Sequence, residues 1–517
     1  MKFITSSIVN ERMTMSLLLL ISIFAIFSLF SLSVYEVNPY FVVASSYVLL
    51  YLALRDFRQL NVVFLITALS IFIASLFADQ SWDGKTYHTI AILEMLDGWD
   101  VYTQVSPELW SESYPKLSWF FGYSIVRITG KLDSATVINI LVSIALFSYS
   151  YVFFKKSKFR LLISLLIVLN PVVIAQFNTK YVDGLLYCLF TIALLSSKEI
   201  IFSKNVEISP VIVFGLSLAF MPLLKFSGAG YSAIILFSSL WLRWRYCQCA
   251  FFNSLKNVLV FLSILLGFLI IGYNPYIKNL INGNNIFYPV LGWEGDSFLG
   301  IIDYCINVPQ VISFLFSPFI YSNAGFEGVV YTCNVVEFVN PFNIKHWEPM
   351  ASHDFGWSLS GFGPMFPLVL YGSLFCFVFC FKGLDKFEKY FFFVVISCCL
   401  ITPHNWWVRY VPFLWLVWCV TLRNRFSFVV LPTAIIISLA SMYQYATSGS
   451  YEYVTGYYSD LHVIYDEENN WSVFKRRNFR VLEERGVVVV DVDQINCNTQ
   501  DLKPLFVGDI ALKQCMK

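Results

Sequence analysis

Apolar runs recur from one end of the chain to the other: 15–34, 39–54, 61–78, 134–154, 161–177, one beginning near Asp183, 211–224, 230–241, 258–273, 365–381, 390–401, 406–420 and 426–445. About 20 apolar residues cross the hydrocarbon core of a bilayer. Inside lipid, a helix is the simplest element that satisfies its own backbone. The pattern therefore predicts an all-α polytopic membrane protein of about thirteen transmembrane helices, several of them short. Charge agrees: 13% of the 517 residues are Asp, Glu, Lys or Arg, against roughly 25% in soluble domains. The net charge of +1 suggests neither a nucleic-acid partner nor a polybasic membrane anchor. Lys2 and Arg12 precede the run 15–34 as they would in a signal peptide. With no small-residue cleavage site after it, that run reads as a retained first helix.

Lys and Arg in the short connections orient the chain. With the N-terminus in the cytoplasm, inside turns carry Arg55 and Arg58, Lys155, Lys156, Lys158 and Arg160, Lys198 and Lys204, Arg243, Arg245 and Lys256, Lys382, Lys386 and Lys389, and Arg423 and Arg425. The short outside turns hold only Lys180, Lys225 and Arg409. This alternation requires the ambiguous run 308–320 to be interfacial or re-entrant, since a further crossing would turn every later basic cluster outward. The transmembrane domain is then 1–445, with outer loops 79–133 and 274–364. An extracytoplasmic tail, 446–517, holds a helix (473–485) leading into a strand (486–491), a small α/β unit docked on the membrane part. Cys305 and Cys333 fall in the second outer loop, and Cys497 and Cys515 in the tail. Even numbers outside fit disulfides in an oxidising compartment, or ordinary free thiols; spacing alone does not choose.

Chemistry is concentrated where the third run meets water, in Asp79-Gln80-Ser81-Trp82-Asp83-Gly84-Lys85-Thr86-Tyr87-His88. Charges at that depth are costly unless solvated or functional. Asp83 precedes a helical segment, 84–96, that ends at Asp97-Gly98. Ile90, Ile92, Leu93, Met95 and Leu96 would lay it on the membrane surface. Asp83 reads either as its N-cap or as a working carboxylate beside Tyr87, one turn along. Lys180 and Asp183 open the sixth run and could be a local pair snorkelling to the interface. Lys225, in Leu-Lys-Phe-Ser-Gly, is a cation at the outer end of a span, suited to a lipid phosphate or again snorkelling. Arg409, among aromatic residues in 403–412, suits bidentate phosphate binding or an aromatic belt. Segment 273–289, rich in Asn and Tyr, suits sugars or is a turn-rich loop. Segment 352–364 is a weaker candidate. No zinc spacing, P-loop or dinucleotide fingerprint is present.

Taken together, these motifs resemble the polytopic glycosyltransferases of the GT-C fold, in the bacterial branch related to protein O-mannosyltransferases and lipid A aminoarabinose transferases. Residues 82–88 are similar to that branch's Trp-Asp-x-x-Thr-Tyr-His pattern, in which the Asp is the base. Residues 176–183 are similar to its Gln…Tyr-x-Asp, 225–228 to its Lys followed by Phe or Tyr, Ser or Thr, and Gly, 273–289 to its Asn-Pro-Tyr…Asn…Tyr-Pro loop, and Arg409-Tyr410 to its Arg-Tyr-x-Pro. The resemblance covers about 15–445 and not the tail. It implies an inverting membrane glycosyltransferase of the bacterial inner membrane. The donor would be a polyprenyl-phosphate sugar, and the acceptor a cell-surface glycan, lipid or protein. Asp83 would be catalytic, with Asp79, Tyr87, His88, Asp183, Lys225 and Arg409 binding substrate. No cofactor is implied: Asp79 and Asp83 do not form the tight Asp-x-Asp of metal-dependent members, so spacing does not support a divalent metal. Two other classes stay open, a lipid-linked glycan polymerase or ligase and a non-enzymatic lipid-linked sugar transporter or flippase.

Overall fold

The computed structural model describes residues 11–79, 81, 83–106, 109–247, 255–291, 310–327, 330–351, 361–402, 405, 407–447, 452–453, 462–465, 488–491, 502–507 and 510–515. Five of its helices are long and apolar enough to cross a membrane: Glu11–Ser33, Phe57–Ala74, Leu132–Phe153, Asp183–Phe202 and Ser427–Thr447. The bent pair Asn257–Ile271 and Tyr273–Ile281 makes a sixth if counted as one span. Shorter apolar helices are Pro39–Leu54, Ile208–Leu224, Phe366–Phe379 and Pro412–Thr421. The chain is thus a largely helical membrane protein. On helix Phe57–Ala74, Leu65, Leu69 and Phe72 are more than half exposed (60%, 53% and 63%), as a lipid-facing surface requires.

Local sequence explains most helix limits. Asn38 and Pro39 start one helix, the Asn38 side chain accepting from the Tyr40 amide. Asp56 caps the next through the amides of Arg58 and Gln59. Asp385 and Glu388 form a reciprocal capping box on Lys386–Ile401. The run 161–177 is not one helix but two, Arg160–Val168 and Pro171–Ala175. Asn170-Pro171 interrupts it, since Pro disfavours helical geometry in the residue before it. The run 406–420 gives a tight 3-10 helix, Pro412–Thr421. In the ambiguous stretch, helix Gln310–Phe316 and the turn Ser317–Phe319 lead into a hairpin, Ile320–Glu327 with Val330–Phe338. These seven helical residues rise only about 10 Å, and residues 308–309 of the run lie outside the described residues.

Helix Asp183–Phe202, 83% buried, is the axis of the bundle. It packs on Ile208–Leu224, Ser227–Cys247 and Val137–Phe153. Basic turns gather at its Phe202 end. Lys198 lies over the rings of Phe153 and Phe387, and Arg243 donates to the carbonyls of Ile200, Ser203 and Lys204. Lys386 covers Tyr246, and Arg423 pairs with Asp385 and Glu388. Asp183 begins the same helix, about 30 Å away by helical rise, and the candidate residues sit around it.

In the tail, strands run in the order Val488–Asp491, His462–Tyr465, Ile510–Cys515, Leu502–Val507, the first pair parallel and the others antiparallel. A short strand, Glu452–Tyr453, pairs antiparallel with Phe77–Ala78, just ahead of Asp79. The helix expected at 473–485 lies outside the described residues, as do Cys305 and Cys497, one member of each expected disulfide, and residues 352–360.

Candidate functional site

Four side chains from four separate parts of the chain meet at the Asp183 end of the axial helix. Asp183, 1% exposed, is the helix's first residue, where the positive end of the peptide dipoles favours a carboxylate. Its Oδ1 receives Lys225 Nζ at 2.5 Å, and its Oδ2 receives Arg409 Nε at 2.7 Å and Gln176 Nε2 at 3.3 Å. Gln176 Oε1 in turn accepts from the Gly184 amide at 2.8 Å. Arg409 also pairs through Nη2 with the carboxylate of Asp83. The guanidinium lies 4.1 Å from the ring centre of Tyr181 and 5.4 Å from that of Trp407, while the Lys225 ammonium sits 4.5 Å from the Tyr410 ring. Two carboxylates face two cations, so the cluster is formally neutral. Lys225 and Arg409 together offer hydrogen-bond donors of the kind a phosphate takes.

Asp83 does not cap the turn that follows it. A π-helical turn, Gly84–His88, leads into helix Thr89–Leu96, and the Asp83 side chain accepts no capping hydrogen bond from its backbone. The carboxylate, 15% exposed, is turned to Arg409 instead, and the Asp83 amide donates to the Tyr181 hydroxyl at 3.4 Å. The helix after it does not lie on the membrane surface. Ile90, Ile92, Leu93 and Met95 are buried inside the protein, against helix Leu117–Thr129.

Asp79 and Lys180 have other work than expected. Asp79 is fully buried. It accepts from the Ser81 amide (2.9 Å) and hydroxyl (2.6 Å) and from the Lys180 amide (2.8 Å). The Lys180 ammonium lies 3.6 Å from Asp79 and 3.8 Å from Asp133, so Lys180 does not pair with its near neighbour Asp183. This buried cluster braces the loop against the turn 176–183. Gly84 is required beside it, because a Cβ there would overlap the Asp79 carboxylate. Asp79 is therefore placed to hold the loop rather than to touch a substrate.

Tyr87 and His88 belong to an aromatic wall with Trp110, Tyr114 and Trp119. Burial, and then the nearby Asp83 carboxylate, push the Tyr87 phenol up, so it stays protonated. His88 is 1% exposed, and its Nδ1 accepts from Trp119 Nε1 at 2.7 Å. That bond puts the proton of the neutral ring on Nε2. Burial lowers the imidazole to about 3, so His88 is uncharged at neutral pH.

The amides proposed for sugar contact in 273–289 are partly engaged within the protein. Asn274 Nδ2 donates to the Val101 carbonyl at 2.9 Å and its Oδ1 accepts from Lys116 Nζ at 2.7 Å; Asn279 donates to the Tyr288 carbonyl at 3.0 Å. Lys116 and Tyr181 were not singled out by sequence reasoning. Lys116 has no exposed surface and joins the two outer loops, a role its ordinary position after Pro115 does not reveal. Tyr181 stands inside the 176–183 motif and supports both Arg409 and Asp83. Among the described residues no group of three or more His, Cys, Asp or Glu could hold a metal ion. The chain matches no protein-family model and no curated protein.

Proposed function

We propose that this chain is an integral membrane glycosyltransferase of the GT-C type. It moves a sugar from a polyprenyl-phosphate donor to a cell-surface glycan, lipid or protein at the outer face of a bacterial inner membrane. In this reading it crosses the membrane about thirteen times, with its N-terminus in the cytoplasm and its tail outside. The observation that carries the proposal is the meeting of Lys225 and Arg409 on Asp183, with Arg409 also holding Asp83, at the end of the bundle away from the basic turns. A base and two phosphate-binding cations share one site at the depth of lipid headgroups.

The chemistry is an inverting displacement. Asp83, a carboxylate paired with Arg409, accepts the proton of an acceptor hydroxyl. That oxygen bonds to the anomeric carbon as the carbon–phosphate oxygen bond breaks. The departing polyprenyl phosphate carries the charge, held by Lys225 and Arg409. Because Arg409 also pairs with Asp83, a phosphate seated on the guanidinium competes with that carboxylate and leaves it a lone pair for the acceptor. Tyr87 and Trp110, the half-buried members of the aromatic wall, offer flat apolar faces for a sugar ring.

The test is transfer of labelled sugar from a polyprenyl-phosphate donor by the chain reconstituted in vesicles. Asp83→Asn is expected to abolish transfer while the protein remains membrane-inserted. Full activity of that variant would remove Asp83 as the base. Label that crosses the bilayer without being transferred would identify a transporter instead.

A further inference from the structure

Behind the charge cluster, Asn139 on helix Val137–Phe153 faces the turn that leads into Asp183. Its Nδ2 donates to the carbonyls of Gln176 (3.0 Å), Thr179 (2.8 Å) and Tyr181 (3.4 Å), so one amide gathers three backbone acceptors. This fixes the orientation of the side chain, since the reverse would aim Oδ1 at three carbonyl oxygens. Oδ1 therefore points the other way, and it is buried with no hydrogen-bond partner. The Ser118 hydroxyl is in the same condition, and so is the Lys180 ammonium, whose carboxylate neighbours lie beyond hydrogen-bond distance.

These three residues line one small cavity, together with Trp119, Ala135 and Tyr181. Traced by the centre of a water-sized sphere, its volume is about 10 Å³, the scale of a single water molecule. A buried polar group without a partner is destabilising, and three on residues that line one cavity mark a place where a ligand restores that energy.

We propose that this cavity is a binding site for one structural water molecule held by Lys180, Asn139 and Ser118. The donor and acceptor pattern selects it. An ammonium only donates, a carboxamide oxygen only accepts, and a hydroxyl does either. The ligand must accept from Lys180 and donate to Asn139. A metal cation cannot accept and is repelled by the ammonium. A simple anion cannot donate to Asn139 and would approach Asp79 and Asp133, which already flank Lys180. Water satisfies all three groups at once. It ties Lys180, whose amide is held by Asp79, to Asn139, which holds the carbonyls of the same turn. The water thereby stiffens 176–183 and sets the position from which Asp183 meets Lys225 and Arg409.

Radiolytic hydroxyl labelling read by mass spectrometry tests this on the full chain in lipid nanodiscs, because a bound water is a local source of hydroxyl radical. Trp119 and Tyr181 border the cavity and are each 1% exposed; Trp415 and Tyr187, at 0%, lie away from it. Trp119 and Tyr181 are expected to oxidise faster than Trp415 and Tyr187, by more than the spread between those two reference residues. Ala135→Val, which extends a side chain into the cavity, is expected to bring them to the reference rate. Equal rates in the wild-type protein overturn the proposal, as do undiminished rates in folded Ala135→Val. If that variant does not fold, the wild-type ratio decides alone.

Discussion

The guanidinium of Arg409 pairs with the carboxylate of Asp83 across 326 positions of the chain, and with its Nε holds Asp183 as well. A planar fork with five donors can serve two acceptors at fixed angles, while a single ammonium on a flexible stem cannot. Arg409→Lys is therefore expected to lower sugar transfer by about 100-fold or more, the usual cost of losing one donor to a departing oxyanion. The measurement is initial rate in reconstituted vesicles, with membrane insertion checked separately. Near wild-type rates for the lysine variant would show that charge alone suffices and that the fork has no role.

Asp183 is the most enclosed member of the cluster, at 1% exposure, and Lys225 is 16% exposed. Removing Lys225 leaves Asp183 and Asp83 to share the single cation Arg409, which strands one buried negative charge. Lys225→Met should therefore lower the melting temperature in detergent. Asp183→Asn in the same background should recover part of the loss, because it removes the stranded charge. Thermal melts of both single variants and the double variant complete the cycle. Strictly additive losses would mean the two side chains are not energetically coupled.

Asp79 and Asp83 stand four residues apart but should fail in opposite ways. Asp79 accepts hydrogen bonds from Ser81 and from the Lys180 amide inside the protein. Asp79→Asn would turn one amide N–H toward donors and leave Lys180 with weaker compensation. The outcome is a lower yield of folded protein and a lower melting temperature. Asp83→Asn keeps Arg409 paired with Asp183 and should lose less stability than Asp79→Asn while losing transfer. Equal melting losses in the two variants would contradict this division of labour.

Much of this arrangement was legible in the sequence, for a physical reason. Polar residues at the ends of apolar runs are costly in a membrane, so Asp83, Asp183, Lys225 and Arg409 stood out against a sparse background of charge. The helix stop at Asp97-Gly98 is equally local, with Gly98 at φ 89°. Partnership was not legible. Lys180 and Asp183, three residues apart, read as a local pair, yet Lys180 turns to Asp79 and Asp133, while Asp183 takes partners 42 and 226 positions away. Such choices follow from how helices pack, which no window of sequence contains. The break at Asn170-Pro171 falls inside an apolar run that reads as one span, because apolar content alone hides a Pro that ends a helix. The burial of Ile90, Ile92 and Leu93 was not, because an apolar face suits lipid and a protein interior equally well.

His88 provides a pH test with a definite sign. In the folded protein burial holds its pKa at about 3, against an ordinary value of 6.5. The unfolded chain therefore binds a proton below about pH 6.5 that the folded chain refuses, and stability falls as pH drops through the window from 6.5 to 3. The slope is about 1.4 kcal/mol per pH unit well inside that window. His88→Gln removes this one term while leaving the other titrating groups in place. Melting temperatures measured from pH 7 to pH 4.5 should thus fall more steeply for the wild-type chain than for His88→Gln, whatever the offset between them at pH 7. Parallel curves would mean that His88 takes up its proton in the folded state, and that the ring is open to water or to a charge that stabilises it.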